Sequence, residues 1–352
     1  MATRIYKTPF AATGDKEVLA TADQPDGKVS LQAGWTPDYE LPNDNANYRP
    51  VGRAEMNGIL SEVTEGLGEM QLNGFATWQD IEGGWPLGAQ VSHGGTVYKS
   101  TVADNVAVPG PGVAGWQSAN AGTLLRTSVY RNSGGTQQVS VDGGAFTSTG
   151  AGTFNKLSGA NSAIVEVLGG GGGGGGAQAN GAGATSSGAG GGSGAYGKTR
   201  VFSGLTGVVV AVGAAGAAGS ASSGGGSGGT SSFGALVTAP GGAGGALGLT
   251  TSGFPLLSQG GARAATATGA NIVNSPGSPG GSGLTLALNK ITDGQGAASV
   301  FGGGGGSPIA GGPGNDGGAY GAGGGGGAST ASQAGQPGGA GGSGVIIVQE
   351  FA

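Results

Sequence analysis

Side chains that could act as acids, bases, nucleophiles or metal ligands are scarce in this sequence. Its 352 residues include one histidine, His93, and no cysteine. His93 precedes two glycines and is typical of a solvated turn residue, and no second histidine or acidic cluster lies near it in sequence to complete a metal site. The lack of cysteine excludes disulfides, thiol catalysis and thiolate metal sites. We therefore expect no metal ion and no cofactor.

Carboxylates and glycine-rich loops give no better support for catalysis. Residues 159–352 hold four acidic side chains that lie far apart in sequence: Glu166, Asp293, Asp316 and Glu350. Glycoside hydrolysis needs two poised carboxylates. The segment Gly194-Ala-Tyr-Gly-Lys-Thr approaches a phosphate-binding loop, but its glycine spacing is wrong and a strand is expected after it. We predict no catalytic residues and a protein that is not an enzyme.

Binding by aromatic rings has more support. Trp85, Tyr98 and Trp116 fall in one short segment, and an exposed ring can stack on a sugar, which makes them candidate sugar-stacking residues. A domain of about 40 residues also needs large side chains for its core. We expect at least two of the three rings to serve as core.

Large side chains are rare in residues 159–352, so those present are either anchors of the fold or exposed contact points. Phe301 abuts a glycine run and is expected to anchor it. Candidates for contact with a partner are the larger side chains of the irregular stretches: Phe254, Leu256, Leu257, Arg263, Ile309, Asn315, Asp316 and Tyr320.

Composition excludes several classes of protein. Glycine accounts for 88 residues, charged residues for 9 %, and the formal net charge is −5. Without a basic stripe, nucleic-acid binding is not expected, and the apolar runs are too short for membrane insertion. The start, Met1-Ala-Thr-Arg, lacks the apolar region of a signal peptide, so we expect synthesis without export.

Five segments must position these residues. Between residues 1 and 48 we predict an extended arm, with one short strand at 28–31. A helix is expected within 49–74, since Asn73-Gly74 is a strong stop signal. Alternation around His93-Gly-Gly predicts a hairpin. The predicted segments are the extended arm 1–48, the helix 49–74, a small β-module 75–122, a β-rich connector 123–158 and a glycine-rich domain 159–352.

The predicted helix carries an apolar seam. Its residues are spaced 4, 3, 4 and 3 apart, the a/d pattern of a heptad repeat: Met56, Leu60, Val63, Leu67 and Met70. Such a seam either docks on the helix's own domain or joins copies of the chain in a short parallel coiled coil. Little nearby in sequence could cover it, which favours self-association.

The glycine-rich domain would be disordered if it were a linker, because ordering a glycine costs about 0.5–1 kcal/mol more than ordering an alanine. It contains five apolar runs that a linker has no reason to carry: 163–168, 208–212, 232–239, 284–288 and 345–348. We predict a mainly β fold in which a β-structured base carries packed glycine segments of the polyproline II type.

Several motifs resemble tail-fibre proteins of tailed bacteriophages. In the N-terminal part they are Thr36-Pro-Asp-Tyr-Glu and Arg53-Ala-Glu-Met-Asn-Gly-Ile-Leu, which are similar to the attachment region. Trp85-Pro-Leu-Gly-Ala and Val97-Tyr-Lys look like a small carbohydrate-binding-type module. Val165-Glu-Val-Leu followed by glycines, and Gly344-Val-Ile-Ile-Val-Gln-Glu, are similar to a glycine-rich receptor-binding domain, into which 249–300 looks like an insertion.

The resemblance implies a homotrimeric, virion-associated adhesin. Its N-terminus would dock on the tail tip or baseplate, and its glycine-rich end would bind a host surface receptor, whether protein, pilus or polysaccharide. The candidate contact residues would then be receptor contacts, and the apolar seam a trimer seam. Two other readings stay open: a polysaccharide-degrading fibre like a tailspike, and a glycine-rich structural or ice-binding protein.

Overall fold

The structure, a computed structural model, describes residues 5–110, 112–119, 122–149 and 152–352, and for Asp293 the backbone alone. As predicted, the chain is mainly β, with 28 % of residues in strands and 7 % in helices. It divides into two compact units, Met1–Ala121 and Gly122–Ala352. The boundary between the units lies within one residue of the predicted end of the β-module.

The first unit begins with the arm, which contains a short 3-10 helix at Pro37–Glu40. The predicted strand at 28–31 is wrong, because this part of the arm makes only isolated bridges, between Ala20 and Ser30 and between Ser30 and Gly34. The amide of Val29 donates to the hydroxyl of Tyr39 (3.0 Å), and so no continuous ladder forms.

The helix α1 spans Arg53–Asn73. At its start, the Glu55 carboxylate accepts a hydrogen bond from the amide of Gly52 (3.1 Å), and this satisfies a donor that the helix leaves free. At its end, Gly74 adopts a left-handed conformation with φ of 76°, a conformation that glycine reaches without strain. The predicted stop is confirmed.

The β-module is a three-stranded antiparallel sheet of β1 (Gln90–His93), β2 (Thr96–Ser100) and β3 (Trp116–Ser118). The predicted hairpin is confirmed, since β1 and β2 pair directly around Gly94 and Gly95, both of which have positive φ.

In the second unit, two antiparallel sheets form the base. The strands of the second unit, in the base and beyond it, are β4 (Leu124–Ser133), β5 (Thr136–Val141), β6 (Thr147–Ser148), β7 (Gly152–Asn155), β8 (Ser162–Leu168), β9 (Ser186–Ser187), β10 (Tyr196–Val201), β11 (Thr206–Ala211), β12 (Ser231–Phe233), β13 (Val237–Ala239), β14 (Leu256–Ser258), β15 (Val273–Ser275), β16 (Gly283–Ala287), β17 (Lys290–Asp293), β18 (Ala328–Ser329) and β19 (Val345–Phe351). The seven-stranded sheet has the order β15-β10-β8-β19-β4-β5-β6, and the four-stranded sheet the order β13-β12-β11-β7.

Side chains of both sheets share one hydrophobic core, in which Phe154 and Phe233 pack with ring centroids 5.3 Å apart. The predicted connector 123–158 does not stand apart, because its strands belong to these same sheets. Strand β19 lies between β8 and β4, and its buried Glu350 forms an ion pair with Arg126. The base is therefore closed by the last strand in the sequence.

Beyond the base, the glycine tracts form extended three-residue-per-turn helices, here called glycine helices. Their hydrogen bonds run between neighbours, and every third amide returns to the same neighbour, as expected for polyproline II geometry without internal bonds. Within the described residues 152–352, six run away from the base: 169–176, 213–219, 241–248, 277–282, 303–306 and 321–327. The register of their bonds shows that six others run back: 188–195, 223–229, 259–264, 294–297, 313–317 and 336–342.

The glycine helix 169–176 illustrates the packing. The amides of Gly170 and Gly173 donate to Gly229 and Gly226, each at 2.9 Å. In the same way it donates to two further helices and accepts bonds from three others, which gives it six neighbours: 223–229, 336–342, 188–195, 213–219, 241–248 and 321–327. All of its residues are buried. The predicted packing of glycine segments is confirmed.

Candidate functional site

The turns farthest from the base, here called the distal loops, form one surface. Each joins an outgoing glycine helix to a returning one: 177–187, 220–222, 249–258, 283–293, 307–312 and 328–335. Strands β9 and β18 pair there, and a bridge joins Thr185 to Thr251. An eight-residue glycine helix rises about 25 Å, so these loops are well separated from the base.

Buried polar groups pin the distal loops to one another. The amide of the Asn180 side chain donates to Ser186 Oγ (3.0 Å) and to the carbonyl of Ser329 (2.8 Å). Thr185 Oγ1 accepts from the amide of Asn289, whose own side chain accepts from the amide of Ala331. Asn180 and Thr185 are buried, and because their polar groups are satisfied there, they hold the loops in a defined arrangement.

One distal element is a three-stranded antiparallel sheet of β14, β16 and β17. Its inner side is buried at Ser258, Thr285 and Ile291. On the opposite side Leu257 pairs with Leu284 across β14 and β16, and the exposed fractions are 62 % for Leu257 and 51 % for Leu286. We call Leu257, Leu284 and Leu286 the outer leucine face.

The structure places half of the candidate contact residues at the distal end. Phe254, Leu256 and Leu257 lie in the loop 249–258, and Ile309, 70 % exposed, lies in another distal loop.

The other four candidate contact residues do not lie at the distal end, so they do not share a surface with the first four. Arg263 lies exposed on the flank, in 259–264, and Asn315 and Asp316 lie on another returning helix. Asp316 Oδ1 accepts from the amide of Ala340 (2.7 Å), a contact that joins helices. Tyr320 lies in a turn next to the base, where its carbonyl accepts from Ser299.

Sequence reasoning missed most of the outer leucine face. The sequence predicts a strand of the base at 284–288, but residues 284–287 lie in β16 at the distal end. Its alternation of leucine with other residues, Leu284, Leu286 and Leu288, was the available signal, because side chains two apart share a face of a strand.

Two of the three candidate sugar-stacking rings are buried. Tyr98 and Trp116 are each 6 % exposed and form the core of the β-module with Val91. Neither ring offers a free face to a sugar, so Tyr98 and Trp116 are not stacking residues, and the expectation that at least two of the three rings serve as core is confirmed. Trp85 is half-buried, and its Nε1 donates to the carbonyl of Gln79 (2.9 Å).

The apolar seam of α1 is exposed along its whole length. Its five residues are between 37 % and 57 % exposed: Met56, Leu60, Val63, Leu67 and Met70. The opposite side of α1 is buried at small residues, including Gly58 and Gly68, against the backbone of Glu17 and Tyr6. The arm thus covers one side of the helix and leaves the seam open.

Glu166 on β8 is paired with two groups of the neighbouring strand β10. The hydroxyl of Tyr196 donates to Glu166 (2.7 Å), and Lys198 lies 3.0 Å from the same carboxylate. Burial and this carboxylate raise the pKa of Tyr196 well above its ordinary range. Phe301, expected to be an anchor, contacts the Tyr196 ring edge-on at 6.1 Å and is 39 % exposed.

Neither the models of known protein families nor the curated proteins contain a match to this chain. Within the described ranges, no three histidine, cysteine or acidic residues are close enough to hold a metal ion. No helix in the described part of the chain is long and apolar enough to cross a membrane.

Proposed function

We propose that this chain is a non-catalytic tail-fibre adhesin of a tailed bacteriophage. It is attached to the tail tip or baseplate through its N-terminal unit, and it binds a receptor on the host surface through the distal loops. The observation that carries the proposal is the presentation of six loops on one surface by a bundle of glycine helices. Loops that a rigid scaffold holds in place are typical binding elements.

The first unit supports assembly from several copies. Its exposed apolar seam is continuous over four turns of α1 and has heptad spacing, which suits a parallel bundle of identical helices. A homotrimer would bury this seam and would present three sets of distal loops. Three linked sites bind a repetitive surface far more tightly than one, because later contacts form at high effective concentration.

Binding to bacterial cells tests the proposal. The fluorescently labelled full chain, incubated with a panel of bacterial strains, should bind the surface of some strains and block adsorption of phage to them. It should release no oligosaccharide from their capsule or lipopolysaccharide. Oligosaccharide release would support the tailspike-like enzyme, and binding to no strain would refute the adhesin.

One surface favours a second candidate, an ice-binding protein. On the glycine helix 213–219 the exposed positions are alanines that recur every three residues: Ala214, Ala215, Ala217 and Ala218. Their methyl groups repeat about every 9 Å along a straight helix, a regular array that suits a flat crystalline surface. Thermal hysteresis of the purified chain would support this function, and its absence would leave the adhesin as the better account.

A further inference from the structure

The outer leucine face lies on the solvent side of the sheet formed by β14, β16 and β17, and its residues are apolar. In an antiparallel sheet with one buried side, the other side is ordinarily polar. Here the buried side carries Ser258, Thr285 and Ile291, while the solvent side carries the exposed Leu257 and the half-buried Leu284. The leucines of the solvent side are not needed for folding, because the inner side already packs against the bundle. An exposed apolar patch without a structural role indicates an interaction site.

Charge argues against an acidic polymer as the occupant of this face. The distal loops contain two charged residues, Lys290 and Asp293. An acidic polysaccharide is bound through several arginine or lysine side chains, which form charge-assisted hydrogen bonds with its carboxylates or phosphates. The distal surface has no such set.

Aromatic content argues against a neutral polysaccharide. Phe254 is the one aromatic residue in the distal loops, and it is half-buried. The surface therefore has no exposed tryptophan or tyrosine platform on which a sugar ring could stack. Around the leucines lie polar groups that could form the rim of an interface, with Thr292 opposite Leu284 and Asn289 exposed beside them.

We propose that the outer leucine face docks on an uncharged, aliphatic surface of a folded protein of the target cell. The inference rests on the proposed function, since it names the class of receptor. Side chains held on a paired sheet lose little freedom on binding, so an apolar match of this kind gains affinity from complementary shape.

Treatment of the cells separates the two classes of receptor. The full chain is added to a strain that binds it, after the cells are exposed either to protease or to periodate, which cleaves sugar diols. We expect protease to abolish binding and periodate to leave it unchanged. Binding should also vary little between about 0.05 and 0.5 M salt, because charge pairs contribute little. Binding that survives protease overturns the inference.

A pair of leucine substitutions tests the face itself. Leu257→Ser with Leu286→Ser should weaken binding to untreated cells by about tenfold or more. The matched control is Val209→Ser with Val300→Ser, which are each 57 % exposed and lie outside the distal loops. Both variants should keep the melting temperature of the wild type.

The outcomes distinguish this inference from the proposed function. Wild-type binding by the leucine variant overturns the docking face but leaves the adhesin intact. A chain that binds no bacterial strain refutes the adhesin, and the inference with it.

Discussion

At the scale of single residues, the bundle requires glycine for space more than for unusual backbone conformation. Gly174 does not adopt a left-handed conformation, yet a Cβ added to it would overlap the carbonyl of Gly325. The same holds for Gly171 and the carbonyl of Ala322. Glycine is used because the neighbouring backbones lie where a side chain would be.

Gly174→Ala should therefore lower the free energy of unfolding by about 3 kcal/mol, because the backbone opposite cannot move aside without breaking its own bonds. The matched control is Gly181→Ala in a distal loop, where a Cβ would meet nothing within 4 Å. That change should leave stability unaltered or raise it slightly. Calorimetric unfolding of both variants checks the prediction, and equal effects would contradict it.

Because of Tyr196, the folding stability of the base should depend on pH in the alkaline range. Burial and the hydrogen bond to Glu166 raise the pKa of its phenol, so the folded chain holds this proton more tightly than the unfolded chain. The stabilisation is complete below the ordinary tyrosine pKa of about 10 and is lost as the pH rises further.

Tyr196→Phe should therefore reduce the fall in melting temperature between about pH 9.5 and 11. A residual slope should remain from Tyr130, whose pKa burial also raises. Tyr48→Phe, at an exposed residue of the first unit, is the control and should keep the wild-type slope. Identical slopes for the two variants would show that the Tyr196–Glu166 contact is unimportant.

At the scale of elements, α1 has two sides with different roles. Its small residues admit the backbone of the arm, and the amide of Phe10 donates to Thr64 Oγ1 (2.7 Å) across this contact. Its large apolar residues lie on the other side. The glycines of α1 would weaken an isolated helix. Here they allow the close contact between the arm and the helix that stabilises both.

The three glycines of α1 should respond differently to alanine. At Gly58 an added Cβ would overlap the carbonyl of Glu17, and at Gly68 that of Tyr6. Either substitution should release the arm, which amide hydrogen exchange of residues 5–17 would detect. Gly66 has nothing within 4 Å, so Gly66→Ala should stabilise the helix by about 1 kcal/mol. Unchanged exchange in Gly58→Ala would contradict this account.

At the scale of the whole molecule, the oligomeric state of the chain tests whether the exposed apolar seam of α1 joins three copies. Light scattering at low concentration should give the mass of three chains. Leu60→Asp with Leu67→Asp should dissociate them, because it would bury charges in the seam. Val18→Asp with Leu31→Asp, at sites 84 % and 58 % exposed outside the helix, should leave the mass unchanged. A monomeric wild type would refute the trimer.

The strands and the apolar seam of α1 can be predicted from the sequence, but the neighbours of each glycine helix cannot. β-Branched runs such as 163–168 and 345–348 identify strands, and the heptad spacing identifies the exposed side of α1. Glycine, however, has no side chain to specify a partner, so nothing local shows that Gly172 bonds to Gly192. Which end of the bundle a turn occupies depends on every preceding crossing. For this reason the sequence suggests both Tyr320 and Leu257 as contact residues, although they lie at opposite ends of the bundle of glycine helices.

The central position of β19 determines when the base can fold during synthesis of the chain. Strand β8 leaves the ribosome roughly 180 residues before β19 begins, an interval of about 10–40 s at 5–20 residues per second. A hairpin forms within microseconds, so β8 and β4 each keep an unpaired edge while roughly the second half of the chain is synthesised. During that wait the glycine segments leave the ribosome with no completed base from which to extend. The rate of synthesis, and not diffusion of the chain, therefore sets the earliest time at which the base can fold completely.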